Sequence, residues 1–330
     1  MNRRVLITGE AGFVGGHLIS SLLETETRIT AIDIAKPRPE LLSQCGERVN
    51  WVQANLITDN LSEYLDGIDT VYHLAAKFLP GTSEQVLSEL CELNVDGTRN
   101  VAKVAVSSGV QNFIHISSVA ACEGFDGKII TEETGKPITS YGYSKLKSEQ
   151  IVKEIAGDKM RYVIFRPVAL FGESHLGSIF EMVKAIKNKK YIIIGTGKNH
   201  VNFLYVKDLV DVLLKAATGS VMANQVYIVA DAPITLGKLT NCMKKELNLP
   251  PSRFNIPKPL GLAIGFGFDI IAKLLHRPML LSVNRVRAMT RDIFYSNDKL
   301  KEQLSVNFKY GIRLGLARTI KWYKSQGLLG

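Results

Sequence analysis

RVLITGEAGFVGGHLISSLL, residues Arg4 to Leu23, passes from an apolar, β-branched pentapeptide into a glycine-spaced turn and then into an apolar helical pattern. The pentapeptide predicts a buried strand. Gly9, Gly12 and Gly15 let the backbone turn tightly, admit a close approach of a pyrophosphate, and let the following helix pack on the strand with its N-terminus toward the phosphates. The spacing is G-x-x-G-x-x-G, and its place between strand and helix gives it meaning. A second strand, RITAID, ends in Asp33, eighteen residues beyond Gly15. That is close to the separation of about 20 expected for a carboxylate that accepts from ribose hydroxyls. Such a carboxylate repels a 2′-phosphate, so NAD is favoured over NADP, with Lys36 and Arg38 as the opposing signal.

Working outward, VNWVQA, DTVYHLA, QNFIHIS and RYVIFRP follow as further strands, each separated by helical or loop sequence. This alternation predicts an α/β, Rossmann-type doubly wound parallel sheet with ligands at the strands' C-terminal ends. Residues 1–171 are read as the dinucleotide-binding domain. Residues 172–330 are read as a smaller, mixed substrate-binding part, interleaved with the last elements of the sheet.

In SYGYSKLKSE, Tyr141 and Lys145 stand four apart, so a helix puts them on one face. The ammonium is expected to lower the phenol's pKa and fit it for proton exchange near neutral pH. Tyr143 and Lys147 offer a second pair, rotated by about 200° on an ideal helix. Spacing alone leaves both open.

At 330 residues and 46% hydrophobic content the chain has ample material for a core, which excludes a disordered chain. Met1 to Arg4 leads directly into a strand rather than an apolar signal segment, and Cys45, Cys91, Cys122 and Cys242 show no paired spacing. A reduced, cytoplasmic protein without a metal site or disulfide framework is expected. Residues 1–180 carry 17 Lys+Arg and 22 Asp+Glu, leaving 24 and 9 for residues 181–330. The basic C-terminal part would attract an anionic substrate, an acidic membrane surface or nucleic acid. No aromatic-and-basic repeat suits single-stranded nucleic acid, and no nucleic-acid partner is expected. The apolar stretch Pro259 to Leu281 is interrupted by Asp269, Lys273, His276 and Arg277 and does not span a membrane. It reads as a buried helix or substrate lid, with an interfacial membrane helix as the other reading.

TGEAGFVG (Thr8 to Gly15), ANL (Ala54 to Leu56), HLAA (His73 to Ala76), NVDGT (Asn94 to Thr98), ISSVA (Ile116 to Ala120), YGYSK and RPVALFG (Arg166 to Gly172) occur in order. With them the chain resembles the extended short-chain dehydrogenase/reductase superfamily, in its branch of nucleotide-sugar epimerases, dehydratases and 3β-hydroxysteroid-dehydrogenase-like enzymes. The likeness runs from Arg4 to about Leu214, with a weaker echo from Asp298 to Phe308. It implies an enzyme with Ser118, Tyr141 and Lys145 as catalytic residues: Ser118 holds the reacting oxygen, Tyr141 exchanges its proton, and Lys145 tunes the phenol and binds the nicotinamide ribose. The pattern around YGYSK, with Glu149 four residues past Lys145, sets the register on Tyr141 and leaves Tyr143 substrate-facing or structural.

The resemblance also implies cofactor contacts from Gly9, Gly12, Phe13, Val14, Gly15, Asp33, Asn55, Leu56, Leu74, Ala75, Ala76, Asn94, Pro167 and Val168, besides Tyr141 and Lys145. Asn94 is read as more of an anchor than a chemical group. Asn55 replaces an aspartate of the pattern, and its amide oxygen still can accept from adenine.

Val119 and Ala120 stand where related dehydratases carry Asp-Glu, which disfavours dehydration. Ala169, Val201 and Asn202 stand where related epimerases hold a substrate diphosphate. Lys184, Lys187, Lys189, Lys190 and Lys198 are the cations that could take over. A nucleotide-diphosphate sugar is the first expectation for substrate, acted on by a 4-epimerase or 4-keto reductase, and a hydroxysteroid-like apolar alcohol is the second. From another class, a non-catalytic dinucleotide sensor or RNA-binding relative would be expected to lack the tyrosine or the lysine. The resemblance further implies a homodimer through Glu84 to Ser108 and Tyr141 to Ile155. Peripheral membrane contact stays open.

Overall fold

The computed structural model of the chain describes residues 3–37, 39–123, 129–218, 223–252, 254–275, 277 and 282–329. Arg38 and His276, both weighed above, lie outside them. Seven strands form the central sheet: β1 (Arg4–Thr8), β2 (Arg28–Asp33), β3 (Val49–Gln53), β4 (Thr70–His73), β5 (Asn112–Ile116), β6 (Arg161–Pro167) and β7 (Gln225–Val229). Their order is β3-β2-β1-β4-β5-β6-β7 and every pairing is parallel. Val5 of β1 faces Ile29 on one side and Thr70 on the other, so the order reverses at β1. In such sheets the crevice beyond the strand C-termini at that reversal is where ligands bind.

The expected doubly wound sheet is present, and the six strands read from the sequence are its first six. The seventh, QVYIV, belongs to residues 172–330 and pairs with β6 from Gln225 opposite Val163 to Val229 opposite Pro167. β-Branched residues suit it to a buried position, yet its partner is some 60 residues away and no local pattern announces the pairing.

The helices that matter for the site are α1 (Phe13–Leu22), α2 (Glu84–Cys91), α3 (Thr98–Ser107), α4 (Ser140–Ala156), α5 (Ser178–Lys187), α6 (Val206–Ala217), α7 (Leu236–Glu246), α8 (Lys258–Leu275), α9 (Val283–Met289) and α10 (Gly311–Ser325). One face of the sheet buries Leu18, Ile19 and Leu22 of α1 with Leu209, Val210 and Leu213 of α6. The other buries Val101, Ala102 and Ala105 of α3 with Val152 and Ala156 of α4. Burying each such Leu, Ile or Val side chain is worth about 1.5–3 kcal/mol, and the two layers fix where α1 and α4 meet the strand ends. A third cluster joins α5, α7 and α10 through Phe180, Val183, Leu239, Met243, Leu316 and Ile320.

The C-terminal part is tied to the front of the chain by short ladders. Ala169–Phe171 pairs with Phe203–Tyr205, and Ile129–Ile130 pairs with Phe294–Tyr295. Helix α8 departs from the expectation of a buried helix. Only Gly261 and Gly265 are buried along it, and Leu260, Phe266, Leu274 and Leu275 are more than half exposed. The two glycines let its backbone press against Ile194 and the Ser282–Val283 peptide, where a Cβ would clash, so the large side chains are left on the outer face.

Candidate active site

The glycine loop is a cradle that side chains would fill. Gly9 has φ +76°, a left-handed conformation, and an added Cβ would come within 2.7 Å of the Ala75 backbone. A Cβ at Gly15 would lie 2.5 Å from the Gly9 carbonyl oxygen. Gly9 donates to Ile32 O at 2.9 Å, and Gly12 turns the chain by donating to Gly9 O at 3.1 Å before α1 begins. The first-turn N–H groups of α1 have no partner within the helix and point out of its N-terminus, a setting that suits a phosphate. This fits a dinucleotide's pyrophosphate. Phe13 stacks its ring on His175 with centroids 4.4 Å apart, which turns it toward the C-terminal part and leaves its backbone to the cradle. Val14 is half-buried and packs beside it.

Asp33 closes the end of β2. Its Oδ2 accepts from Ala11 N at 3.2 Å and its Oδ1 from Ala35 N at 3.0 Å. Glu10, which the sequence reading passed over, lies 1% exposed against Asp33. Burial first, and then the Asp33 charge, push its carboxyl up to about 8. Its Oε2 has no hydrogen-bond partner among the described residues.

Asn55 begins a tight loop in which its Oδ1 accepts from Ile57 N at 2.9 Å, so the oxygen expected for adenine is already engaged once. Leu56 beside it is buried. Leu74 donates to Thr8 O at 3.1 Å and Ala75 to the Thr8 hydroxyl at 3.3 Å, carrying β4 past β1 to the exposed Ala76. Asn94 is an anchor, as read. Its Oδ1 accepts from Lys77 N at 2.7 Å, and its Nδ2 donates to Lys77 O at 3.0 Å and to the Ser144 hydroxyl at 2.9 Å. A π-helical turn over Glu92–Gly97, between α2 and α3, turns it inward.

Tyr141 and Lys145 sit in the first turns of α4, capped by the Thr139 hydroxyl, which accepts from Gly142 N at 3.1 Å. Ser118 follows β5 and caps the 3₁₀ turn Val119–Cys122, and that turn meets the first turn of α4, which carries Tyr141. Gly142 makes this meeting possible, since a Cβ there would fall on the Ala120 carbonyl. Phe78 closes edge-on to Tyr141 with centroids 5.1 Å apart. Tyr143 points elsewhere, 47% exposed beside α2 in a cavity of about 150 Å³ shared with Leu87 and Ile138.

The electrostatics correct one expectation. Burial raises the Tyr141 phenol's pKa, and the Ser118 hydroxyl works in the lowering direction. Lys145 is 1% exposed, donates from Nζ to Ile116 O at 2.7 Å, and is pushed down to about 8 by its own burial. Its ammonium is thus held at the strand end rather than on the phenol.

Behind the pair lies a polar layer absent from the sequence reading. His73 is held between the Thr8 and Thr98 hydroxyls at 2.8 Å each and is kept neutral by burial, down to about 3. His115 shares a 3.0 Å hydrogen bond with the Ser148 hydroxyl. Arg166 grips Glu149 with two bonds of 2.8 and 2.7 Å, and Ser117 donates to the same carboxylate. None of these partners is adjacent in sequence; the sequence signal was that Thr8, His73, Thr98, Ser117, Ser148, Glu149 and Arg166 stand inside motifs quoted for other reasons.

Pro167 and Val168 are buried, Val168 donates its N–H to Val229 O at 3.1 Å, and the exposed Ala169 follows. Glu123, after the Ser118 turn, faces Arg291. A cavity of about 540 Å³ is lined by Gly195, Thr196, Asn199, Asn255, Lys258 and Thr290, among others. Lys258 is the lysine on that wall. Of the cations nominated from sequence, Lys187 is instead tied to Leu329 O at 2.8 Å, and Lys184 lies over the Phe180 ring. A further cavity of about 610 Å³, with Arg4, Arg28 and Arg48, opens at the opposite end of the sheet. No group of three or more His, Cys, Asp or Glu among the described residues could hold a metal.

The profile of the NAD dependent epimerase/dehydratase family matches residues 5–230. The chain is 29% identical, over 98% of its length and 96% of the relative's, to N-acetyl-alpha-D-glucosaminyl-diphospho-ditrans,octacis-undecaprenol 4-epimerase of Escherichia coli O157:H7. It is 25% identical, over 96% of its length and 79% of the relative's, to 3beta-hydroxysteroid-dehydrogenase/decarboxylase isoform 1 of Arabidopsis thaliana. In fold it is similar to UDP-glucuronic acid 4-epimerase from Bacillus cereus, solved in complex with NAD, with a TM-score of 0.77, 18% identity, and coverage of 99% of this chain and 100% of that one.

Proposed function

This chain belongs to the NAD dependent epimerase/dehydratase family, of the extended short-chain dehydrogenase/reductase type, and from that premise we propose that it is a 4-epimerase of a diphosphate-linked sugar. The observation that carries the reading is the packing of the turn that follows Ser118 against the first turn of α4, which brings Ser118, Tyr141 and Lys145 to the C-terminal edge of the sheet, beyond the glycine cradle. The E. coli relative supports the sugar and the position by its name.

In this reading residues 1–171 hold the dinucleotide, and residues 172–330 shape the substrate cleft while lending β7 to the sheet. The cradle holds the pyrophosphate, Asp33 the adenine ribose, and Lys145 the nicotinamide ribose. Bound there, the cofactor supplies the acceptor and donor of hydride. Ser118 orients the C4 hydroxyl. Tyr141 takes its proton as C4 gives up its hydride, and returns a proton once the ketone has presented its other face and the hydride has come back. Val119 and Ala120 offer no acid–base pair for elimination of water. A homodimer through the α2–α3 and α4 helices is part of the proposal.

Purified protein tests it. We expect near-stoichiometric NAD to survive gel filtration, and Tyr141→Phe to cut interconversion of the C4 epimers by about a hundredfold or more while NAD stays bound. Full activity in Tyr141→Phe would remove the assignment. A second reading is supported by Ala169 and Asn202, which leave the usual diphosphate contacts unfilled: a dehydrogenase of an apolar alcohol, like the Arabidopsis relative by its name. Protein that arrives empty and reduces added NAD with a sterol alcohol would favour it.

A further inference from the structure

Helix α8 carries an apolar face that the fold does not cover. At about 100° per residue, Leu260, Ala263, Ile264, Ile270, Ile271, Leu274 and Leu275 fall within roughly 140° of one side of the helix, and Phe266 borders them. All of them are exposed, Leu274 at 73% and Phe266 at 62%. The opposite side is the one that packs. Gly261 meets Ile194, Gly265 meets the Ser282–Val283 peptide, and Asp269 accepts from Val283 N at 3.1 Å. Eighteen residues make a rod of roughly 27 Å, too polar on its packed side to cross a bilayer, and no helix among the described residues is long and apolar enough to do so.

Charge selects the occupant. Residues 254–291 contain six Lys or Arg and one acidic residue, Asp269, which is on the packed side. Lys258 and Lys273 on α8, Arg277 just beyond it, and Arg285 and Arg287 on α9 are exposed. A second copy of the chain on this face would bring two basic rims together. An anionic bilayer accepts both the apolar stripe and the rim, which its negative surface potential attracts. The position fits as well. Lys258 and Pro259, where α8 starts, line the 540 Å³ cavity together with Thr290, and Arg291 next along faces Glu123 beyond the Ser118 turn.

We propose that α8 lies in the headgroup layer of an anionic lipid bilayer with its apolar face down, so that the cleft takes a sugar diphosphate whose other substituent is a membrane lipid. The docking stands on this helix alone. The substrate class rests on the diphosphate-sugar reading above.

The test is flotation of the full chain with extruded vesicles of phosphatidylcholine, with and without phosphatidylglycerol. We expect retention on the anionic vesicles that weakens with salt, and a drop of about tenfold or more in the Ile271→Glu, Leu274→Glu double variant at unchanged NAD content and melting temperature. The Lys273→Gln, Arg277→Gln pair should lose the preference for anionic vesicles. Absence of vesicle binding, equal binding by the apolar double variant, or a dimer that this variant breaks while vesicles are ignored would each overturn docking. Turnover separates the two readings. The apolar double variant should keep wild-type rates on UDP-N-acetylglucosamine where that is accepted, and lose them on a vesicle-borne polyprenyl diphosphate sugar. Wild-type protein that binds vesicles yet turns over neither sugar would leave docking intact and remove the epimerase reading.

Discussion

Glu10 and Asp33 place two carboxyls at one end of the cradle, and the proposed function gives the ribose to Asp33. Glu10 is buried, and its carboxyl ionises near 8 in the folded chain against about 4.5 when unfolded. Folding therefore takes up a proton between these values, and the stability Glu10 contributes is lost as pH rises through that window. Removing the charge should reverse this. In cofactor-free protein, Glu10→Gln is expected to match wild type in stability near pH 4.5 and to exceed it by about 2–4 kcal/mol above pH 8, read as the difference between denaturant midpoints. A pH-independent difference would show that the raised carboxyl is not there. Lys145 obeys the same physics with the opposite charge: buried on a carbonyl, it is a cation easily discharged, down to about 8. The phenol beside Ser118 is raised by burial, so the site as it stands favours a protonated tyrosine. Spacing put Tyr141 and Lys145 on one face and the motif chose between two pairs. Neither could reveal that Lys145 would spend its hydrogen bond on Ile116.

At the scale of elements, α4 has to come close enough to the turn after β5 for Tyr141 to reach Ser118. Gly142 permits that approach, because the Ala120 carbonyl occupies the place of a Cβ. We expect Gly142→Ala to cost about 1–3 kcal/mol in stability and to lower kcat by at least about tenfold while NAD binding changes little. An active variant with unaltered kcat would show that the approach is not needed. The elements legible in the sequence were those that announce themselves locally: a β-branched run, a glycine turn, a capped helix start. Strand β7 was missed because its register on Val163 to Pro167 is a long-range fact. The Arg166–Glu149 clasp was missed for the same reason. Helix α8 departs from one of the readings left open for it, the buried helix. Apolar composition reads alike whether a helix is covered or left outside, and the two buried residues, Gly261 and Gly265, say only which side is close-packed.

The whole molecule is a parallel sheet whose C-terminal edge carries the cradle at β1 and β4 and the Ser118, Tyr141 and Lys145 group beyond β5. Residues 172–330 carry the basic half of the chain, and α8 within them leaves its apolar face bare. Lys258 and Pro259, at the start of α8, line a cavity of about 540 Å³ in the same C-terminal part. The central claim is that C4 of a diphosphate-linked sugar gives its hydride to bound NAD and takes it back. The measurement that tests it most directly uses N-acetylglucosamine deuterated at C4, supplied as both its UDP and its polyprenyl diphosphate esters, with the product read by mass spectrometry. The account predicts a C4-inverted sugar that keeps its deuterium, its formation slowed by about a hundredfold or more in Tyr141→Phe. Inverted sugar with deuterium lost to solvent, label released as free reduced cofactor, or no inversion of either ester would contradict it.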